Sequence, residues 1–233
     1  LEFVATLVHE LRTPLTALRG SLGLLTDAVE GADSDVRNFA SIADRNAERL
    51  AAQLDEVAVY CRVVDSATRP SLETTDITDA VQRAVDQVQP LVDDRGSIVE
   101  VEAVGGSIDA VVDSAMIRLA VARLVSYAVR VSPKKSTIRV RVEAADGGGV
   151  DGAGVLGRGG VVISVSDAGQ PVAPGDAARI FEPFSALARR GADSAMRTGL
   201  SLAIAARIAV LHGGALAFSS SDAAGGGLFT LRL

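Results

Sequence analysis

Residues 4–29 place apolar side chains at Val4, Val8, Leu11, Leu15, Leu18, Leu22, Leu25 and Val29, with spacings that alternate four and three. That repeat lays a single apolar stripe along one side of a helix, as in a coiled coil or four-helix bundle. A strand is excluded, because its side chains alternate with period two. "EGADSD", 30–35, breaks the period with turn-forming residues. A second helical run follows on Val36, Ala40, Ala43, Ala47, Leu50, Leu54, Val57, Cys61 and Val64. Two long helices with a short loop make an antiparallel hairpin. One hairpin has too little core to stand alone. Two hairpins from two chains complete a four-helix bundle, so a homodimer is expected. Cys61 lies in the seam and reads as a small buried apolar residue rather than a reactive thiol.

"SATRPS", 66–71, ends the helical period and reads as a linker. Beyond it the pattern changes. Asp76 is a good N-cap for a helix over 77–92, with Val81, Val85, Val88 and Leu91 on one face. "SIVEVEAV" (97–104), "TIRVRVEA" (137–144) and "VVISVSD" (161–167) alternate like strands. Helices are expected over 114–131 and 200–211, the first stopped by Ser132-Pro133 and the second by Gly213-Gly214. "GALAFSS" and "LFTLRL" read as a closing hairpin. The expected architecture is a two-helix hairpin forming a dimeric four-helix bundle (1–66), a linker (67–71), and an α+β two-layer sandwich (72–233).

At 233 residues the chain has room for two cores. A net charge of −6 argues against a nucleic-acid partner. One cysteine rules out an internal disulfide, and two histidines beside it make a His/Cys zinc cluster unlike this chain. No apolar run approaches the roughly 18 residues of a membrane span. The chain opens without Met or a signal-peptide pattern, so it is expected to be excised from a longer protein. Residues 118–141 are a local exception to the acidic balance: Arg118, Arg123, Arg130, Lys134, Lys135, Arg139 and Arg141 occur with no acid among them. Such a run is either a solvated face or a surface that meets phosphate.

His9 falls beside the heptad seam, on the expected flank of the bundle. Glu10 follows it, and Thr13 stands one turn later on the same side. Pro14 removes the hydrogen bond to the Glu10 carbonyl and should bend the helix just past the histidine. A neutral imidazole nitrogen is a nucleophile at neutral pH, and a neighbouring carboxylate can fix its tautomer. Thr13 is placed to orient a water. The alternative is an exposed surface histidine with chance neighbours.

"HELRTPL", 9–15, preceded by Phe3, resembles the phosphoacceptor box of the sensor histidine kinases of two-component systems. In that family a dimerisation and phosphotransfer hairpin precedes an ATP-binding domain of the Bergerat (GHKL) type, and the order of elements here is similar. The resemblance implies that His9 takes the phosphoryl group, Glu10 assists as the acid, and Thr13 supports dephosphorylation of the partner. It also implies ATP and Mg²⁺ as cofactors, a response-regulator receiver domain as partner, a cytoplasmic location and an upstream sensor. The cytoplasmic expectation is for this chain, and leaves room for a membrane anchor in the full-length protein.

The family's nucleotide boxes are present in altered form. The first has two asparagines four apart, then a basic residue and an aromatic before Ser-Pro. "RLVSYAVRVSP", 123–133, puts Arg123 and Tyr127 at the asparagine places, keeps Arg130, and has Val131 at the aromatic place. A phenol is a poor ligand for a hard cation, and Arg123 adds positive charge beside it. Asp-x-Gly-x-Gly stands here as "DAGQP", 167–171, keeping Asp167 for the adenine amino group and Gly169, with Pro171 at the second glycine. "FEPF", 181–184, matches the phenylalanine box. Gly-x-Gly-Leu-Gly-Leu stands as "RTGLSL", 197–202, and keeps only Gly199. The lid would be 185–196. Five departures (Arg123, Tyr127, Pro171, Arg197, Ser201) fall where metal and phosphate would be touched. The expected activity is therefore a protein-histidine kinase with impaired Mg-ATP chemistry. The rivals are an ATP-independent histidine phosphotransferase or response-regulator phosphatase, and a pseudokinase scaffold.

"GAGVLG", 152–157, fits a dinucleotide fingerprint but opens no helix, and reads as a hairpin loop. His212 ends a helix and reads as a cap.

Overall fold

The heptad-patterned part of the chain is helical wherever the structure describes it. The structure, a computed structural model, describes residues 15–16, 18–23, 25, 34–145, 160–185, 187, 198–220 and 226–233. The expectations placed on His9, Glu10, Thr13, Pro14, Arg197, the 147–159 loop and most of the 185–196 lid lie outside these residues. The chain divides into two compact units, one of Leu1–Ser66 with Met196–Thr198 and one of Ala67–Ala195 with Gly199–Leu233.

In the first unit, α1 is helical at 15–16, 18–23 and 25, and α2 runs Ser34–Val64. Seam residues Leu15, Ala40, Ala47 and Cys61 are buried. Leu18, Leu25, Val36 and Leu50, also in the seam, are exposed on the single chain, with Phe39 and Ile42 beside them. Arg19 Nη2 meets Glu48 Oε1 at 2.9 Å and ties α1 to α2. Both partners are about half exposed, so the pair contributes at most ~1 kcal/mol. Among the described residues no helix is long and apolar enough to cross a membrane.

The second unit runs β1 (Glu73–Asp76), α3 (Ile77–Arg95), β2 (Ile98–Ala103), β3 (Asp109–Val112), α4 (Ser114–Val131), β4 (Thr137–Ala144), β5 (Val161–Ser166), α5 (Ser201–Leu211), β6 (Ala215–Ser220) and β7 (Gly227–Arg232). Five strands form one sheet in the order β2-β4-β5-β7-β6, parallel at β2/β4 and antiparallel elsewhere. Register aligns Val101, Val140, Val165, Phe229 and Phe218 in one row across it. Val140, Val165 and Phe229 in that row are fully buried. The neighbouring row, beginning Glu100-Arg139-Ser166, points the other way, as period-two alternation requires. Arg139 pairs with Glu100 at 3.3 Å, and Arg141 with Glu143 at 3.1 Å. Exposed strand charge is thus the fate of these two members of the basic run.

α4 is the central helix. It packs against α3 and α5, and Ile117, Ala120, Val121, Leu124, Val125, Ala128 and Val129 are buried along it. Asp113 caps its start by accepting from Met116 N–H at 3.0 Å. Asp76 caps α3 as the sequence suggests, accepting from Asp79 N–H at 3.1 Å.

Two details depart from the sequence reading. The strands do not all join one sheet, because β1 and β3 pair antiparallel as a separate ribbon, Glu73 opposite Val112 and Asp76 opposite Asp109. "ETTD" and "DAVV" are four residues each, too short to carry a periodic signal. α3 also continues past 92 to Arg95, through Pro90. Proline removes one helix hydrogen bond, but Val88, Val92 and Arg95 are buried around it and hold the last turn in place.

Candidate functional site

Arg123 and Tyr127 lie one turn apart on α4 but have different surroundings. Arg123 is half-buried, whereas Tyr127 is only 6% exposed. The Tyr127 ring meets Phe229 edge-on, centroids 5.4 Å apart and planes at 82°. Phe181 and Phe218 meet the same phenylalanine at 6.3 and 5.0 Å. The two edge-to-face contacts, from Tyr127 and Phe181, contribute about 0.5–1.5 kcal/mol each beyond burial, and Phe218 is tilted at 54°. Tyr127 is thus part of the core between α4 and β7. Of the "FEPF" residues, Phe181 joins this cluster and Phe184 is 57% exposed with φ 60°.

Asp167 leaves the end of β5. Its Oδ1 accepts from Gly169 N–H at 2.7 Å and Gly227 N–H at 3.2 Å. Burial pushes its carboxyl above the usual value, and those two amides pull against that shift. The next residue, Ala168, donates its N–H to the buried hydroxyl of Ser132 at 2.9 Å, which locks this loop to the end of α4. A Cβ at Gly169 would stand 2.8 Å from Asp167 Oδ1 and 2.9 Å from Val131 Cγ2. Gly226 and Gly227 wall the other side: a Cβ at Gly226 would overlap the Asp167 carbonyl oxygen, and one at Gly227 would lie 2.8 Å from Oδ2.

Gly199 precedes α5 with φ 78°, and a Cβ there would stand 2.8 Å from the Ser185 carbonyl oxygen. Both the left-handed backbone and the close approach demand glycine.

Arg130, Val131, Gly169 and Pro171 come together around a groove of about 560 Å³, with Arg95, Ser132, Pro133, Lys134, Ala168 and Gln170. Arg123, Tyr127, Asp167 and Gly199 are not in its lining. Arg95 went unnoticed in the sequence. It is 9% exposed, and its Nη2 donates to the Ser132 carbonyl at 2.9 Å and the Arg130 carbonyl at 3.4 Å. It therefore satisfies carbonyls that the end of α4 leaves open. The available signal was an arginine immediately before the helix-stopping Gly96. Gly226 and Gly227 were also missed, although a glycine run opening a strand marks a close backbone approach.

Residues 112–233 match the family described as Histidine kinase-, DNA gyrase B-, and HSP90-like ATPase. Residues 1–62 match the His Kinase A (phospho-acceptor) domain. The chain is 28% identical over 235 residues to the sensor-like histidine kinase SenX3 of Mycolicibacterium smegmatis, covering 100% of this chain and 56% of that protein. It is 27% identical over 226 residues to the sensor histidine kinase CusS of Escherichia coli K12, covering 96% and 43%. The chain spans about half the length of the curated relatives it matches. Full-length ShkA, solved in complex with AMPPNP, superposes with a TM-score of 0.78 at 25% identity, covering 99% of this chain and 45% of that one.

Proposed function

The chain belongs to the sensor histidine kinases of two-component signalling, and from that premise we propose that it passes a phosphoryl group through His9 to a receiver-domain aspartate, with ATP-driven loading of His9 impaired. An imidazole nitrogen of His9 holds the phosphoryl group. Its P–N bond breaks as a P–O bond forms to the aspartate of a response regulator, and the imidazole is regenerated. Glu10 holds the ring proton, and Thr13 serves the hydrolytic removal of phosphate from the partner. The hairpin at 1–66 acts as a homodimer. The exposed apolar residues Leu18, Leu25, Val36, Phe39, Ile42 and Leu50 support that pairing. The linker is 67–71, and the ATP-binding-like unit is 72–233.

The impaired step rests on one observation: the box residues this chain keeps are ones its own backbone requires. Gly169 and Gly199 have no room for a Cβ, and Asp167 holds two amides whether or not adenine is present. The changed places, Arg123, Tyr127, Pro171, Arg197 and Ser201, are those the family uses to hold metal and phosphate. Tyr127 and Arg123 do not fit a Mg²⁺ ion: one is a phenol packed on Phe229 and the other a cation. Phosphoryl transfer from ATP relies on such an ion to offset developing charge.

The test is incubation of the chain with γ-labelled ATP and Mg²⁺, beside exchange with a phosphorylated receiver domain. The expected result is little or no label from ATP and His9-dependent label from the receiver. Label from ATP that disappears in His9→Ala would overturn the impaired reading. No His9-dependent exchange would overturn the transfer reading.

A further inference from the structure

Phe184 is a bulky residue held at φ 60°, in the left-handed region that such side chains rarely adopt. Its ring is 57% exposed, so burial does little to offset that strain. The backbone here is braced from one side: a Cβ at Gly199 would stand 3.1 Å from the Phe184 carbonyl carbon and 2.8 Å from the Ser185 carbonyl oxygen. Gly199 is left-handed too, at φ 78°. Just before it, the Thr198 hydroxyl donates to Glu56 Oε2 on α2. Thr198 belongs with the hairpin, whereas Gly199, the next residue in the chain, belongs with the second unit. Glu56 and Thr198 are both half-buried, and a hydroxyl bonded to a carboxylate is held more strongly than one bonded to a neutral acceptor. α5 starts at Ser201 without a side-chain cap, unlike α3 and α4, which Asp76 and Asp113 cap. Its first turn therefore depends on how the residues leading into it are held.

We propose that Glu56 and Thr198 form a conformational latch, which holds the strained turn at Phe184–Ser185 and the first turn of α5 in place until α2 is displaced at Glu56. With the latch closed, Thr198 is fixed and Gly199 stays pressed against the Ser185 carbonyl. With it open, Gly199 moves off that carbonyl, Phe184 leaves its left-handed conformation, and the uncapped start of α5 frays. The stored strain favours opening and the hydrogen bond opposes it, so a small movement of the hairpin helix reaches α5 through two adjacent residues. The latch takes no ligand and does not depend on the phosphotransfer reading.

The test is amide hydrogen exchange on the whole chain, read at Ser185 N–H, which bonds the Glu182 carbonyl, and at Ile204 N–H, which bonds the Leu200 carbonyl. Glu56→Ala and Thr198→Val should each speed exchange about tenfold at both amides. Ile117 N–H, bonded to the Asp113 carbonyl at the start of α4, is the internal control and should change less than about twofold. Glu56→Gln keeps an acceptor and Thr198→Ser keeps the donor, so each should stay within about threefold of wild type. Asparagine tolerates the left-handed region, so Phe184→Asn relieves the strain without touching the latch. In that background Glu56→Ala should speed exchange at Ser185 by less than about threefold, a dependence that mere loss of packing on α2 would not produce. Unchanged exchange at either amide in Glu56→Ala and Thr198→Val overturns the proposal. Equal acceleration at Ile117 overturns it too, as do Thr198→Ser behaving like Thr198→Val and an undiminished Glu56→Ala effect in Phe184→Asn.

Discussion

The backbone N–H of Asp113 donates to Nε2 of His212 at 3.0 Å, joining the start of α4 to the end of α5 across 99 residues of sequence. His212 Nδ1 lies 2.8 Å from the Ile208 carbonyl oxygen. With Nε2 accepting, Nδ1 carries the hydrogen, so both neighbours fix one neutral tautomer. Asp113 also caps α4 and accepts from Ser71 N–H at 2.9 Å through Oδ2. Ser71 lies two residues before β1, so the start of the second unit is fastened to its central helix. His212→Ala should lower stability by about 1–2 kcal/mol by leaving the Asp113 amide without its acceptor. Asp113→Ala should lower it by a similar ~1–2 kcal/mol through loss of the cap. The double variant should lose less than the sum, because the two residues share one network. Denaturant unfolding of the three variants measures this.

Gly169→Ala and Gly199→Ala should each destabilise the chain by about 1–3 kcal/mol with no ligand present. In the first, a methyl meets Asp167 Oδ1 and Val131; in the second, it meets the Ser185 carbonyl at a left-handed φ. Thermal unfolding of nucleotide-free protein checks this. Unchanged melting temperatures would mean that these glycines are kept for a ligand rather than for the fold.

Much of this architecture was legible because periodicity is a local property. The four-three spacing gave α1 and α2, and alternation located β2, β4 and β5 to within a residue or two. The β1–β3 ribbon was not legible, since strands of four residues are too short to show a period. In the site, Asp167, Gly169 and Gly199 could be found from motif spacing. Arg95 was marked only as the arginine before a helix-stopping glycine; its contact with Ser132, 37 residues away, exists only after α3 packs on α4. Tyr127 was legible as a departure, but its burial against Phe229 depends on where β7 lies in the sheet.

Asp167 and Asp76 should push acid stability in opposite directions. The folded-state carboxyl of Asp167 is raised, first by burial, so charging it costs more in the folded chain than in the unfolded chain. Its destabilising contribution is absent below the unfolded value of 3.8, grows as pH rises past it and is complete above the raised folded value. Partial burial pushes Asp76 up, but hydrogen bonds from Asp79 N–H, Ser107 and Thr78 N–H outweigh it and hold the carboxyl below 3.8. Its contribution is stabilising above 3.8 and is lost as pH falls through the lowered value. Relative to wild type, Asp167→Asn should therefore gain stability at neutral pH and lose that advantage toward pH 3.8. Asp76→Asn should be destabilised at neutral pH and approach wild type in acid. Urea unfolding across the acid range reads both signs.

Placing asparagines at 123 and 127 is the sharpest probe of the proposed alteration of the nucleotide site. Arg123→Asn with Tyr127→Asn removes a cation and a bulky phenol from the place that the proposed function gives to the metal, and supplies a compact oxygen ligand. Mg-ATP affinity should rise by about tenfold or more, the gain that one well-placed ligand contributes. The structure attaches a condition to this experiment. Tyr127 is buried against Phe229, so Tyr127→Asn opens a space in the aromatic cluster and places an amide there. The expected loss is about 3 kcal/mol of stability. Affinity must therefore be measured at a temperature where the double variant is shown to be folded. Tyr127→Phe with Arg123→Asn is the matched control: it keeps the ring on Phe229, removes the hydroxyl and supplies no ligand at 127. Its Mg-ATP affinity should stay well below that of the double asparagine variant. Equal affinities in the two would assign the effect to Arg123 alone. No gain in a folded double variant would move the defect to Pro171 or Arg197, where the phosphate-side glycines are missing.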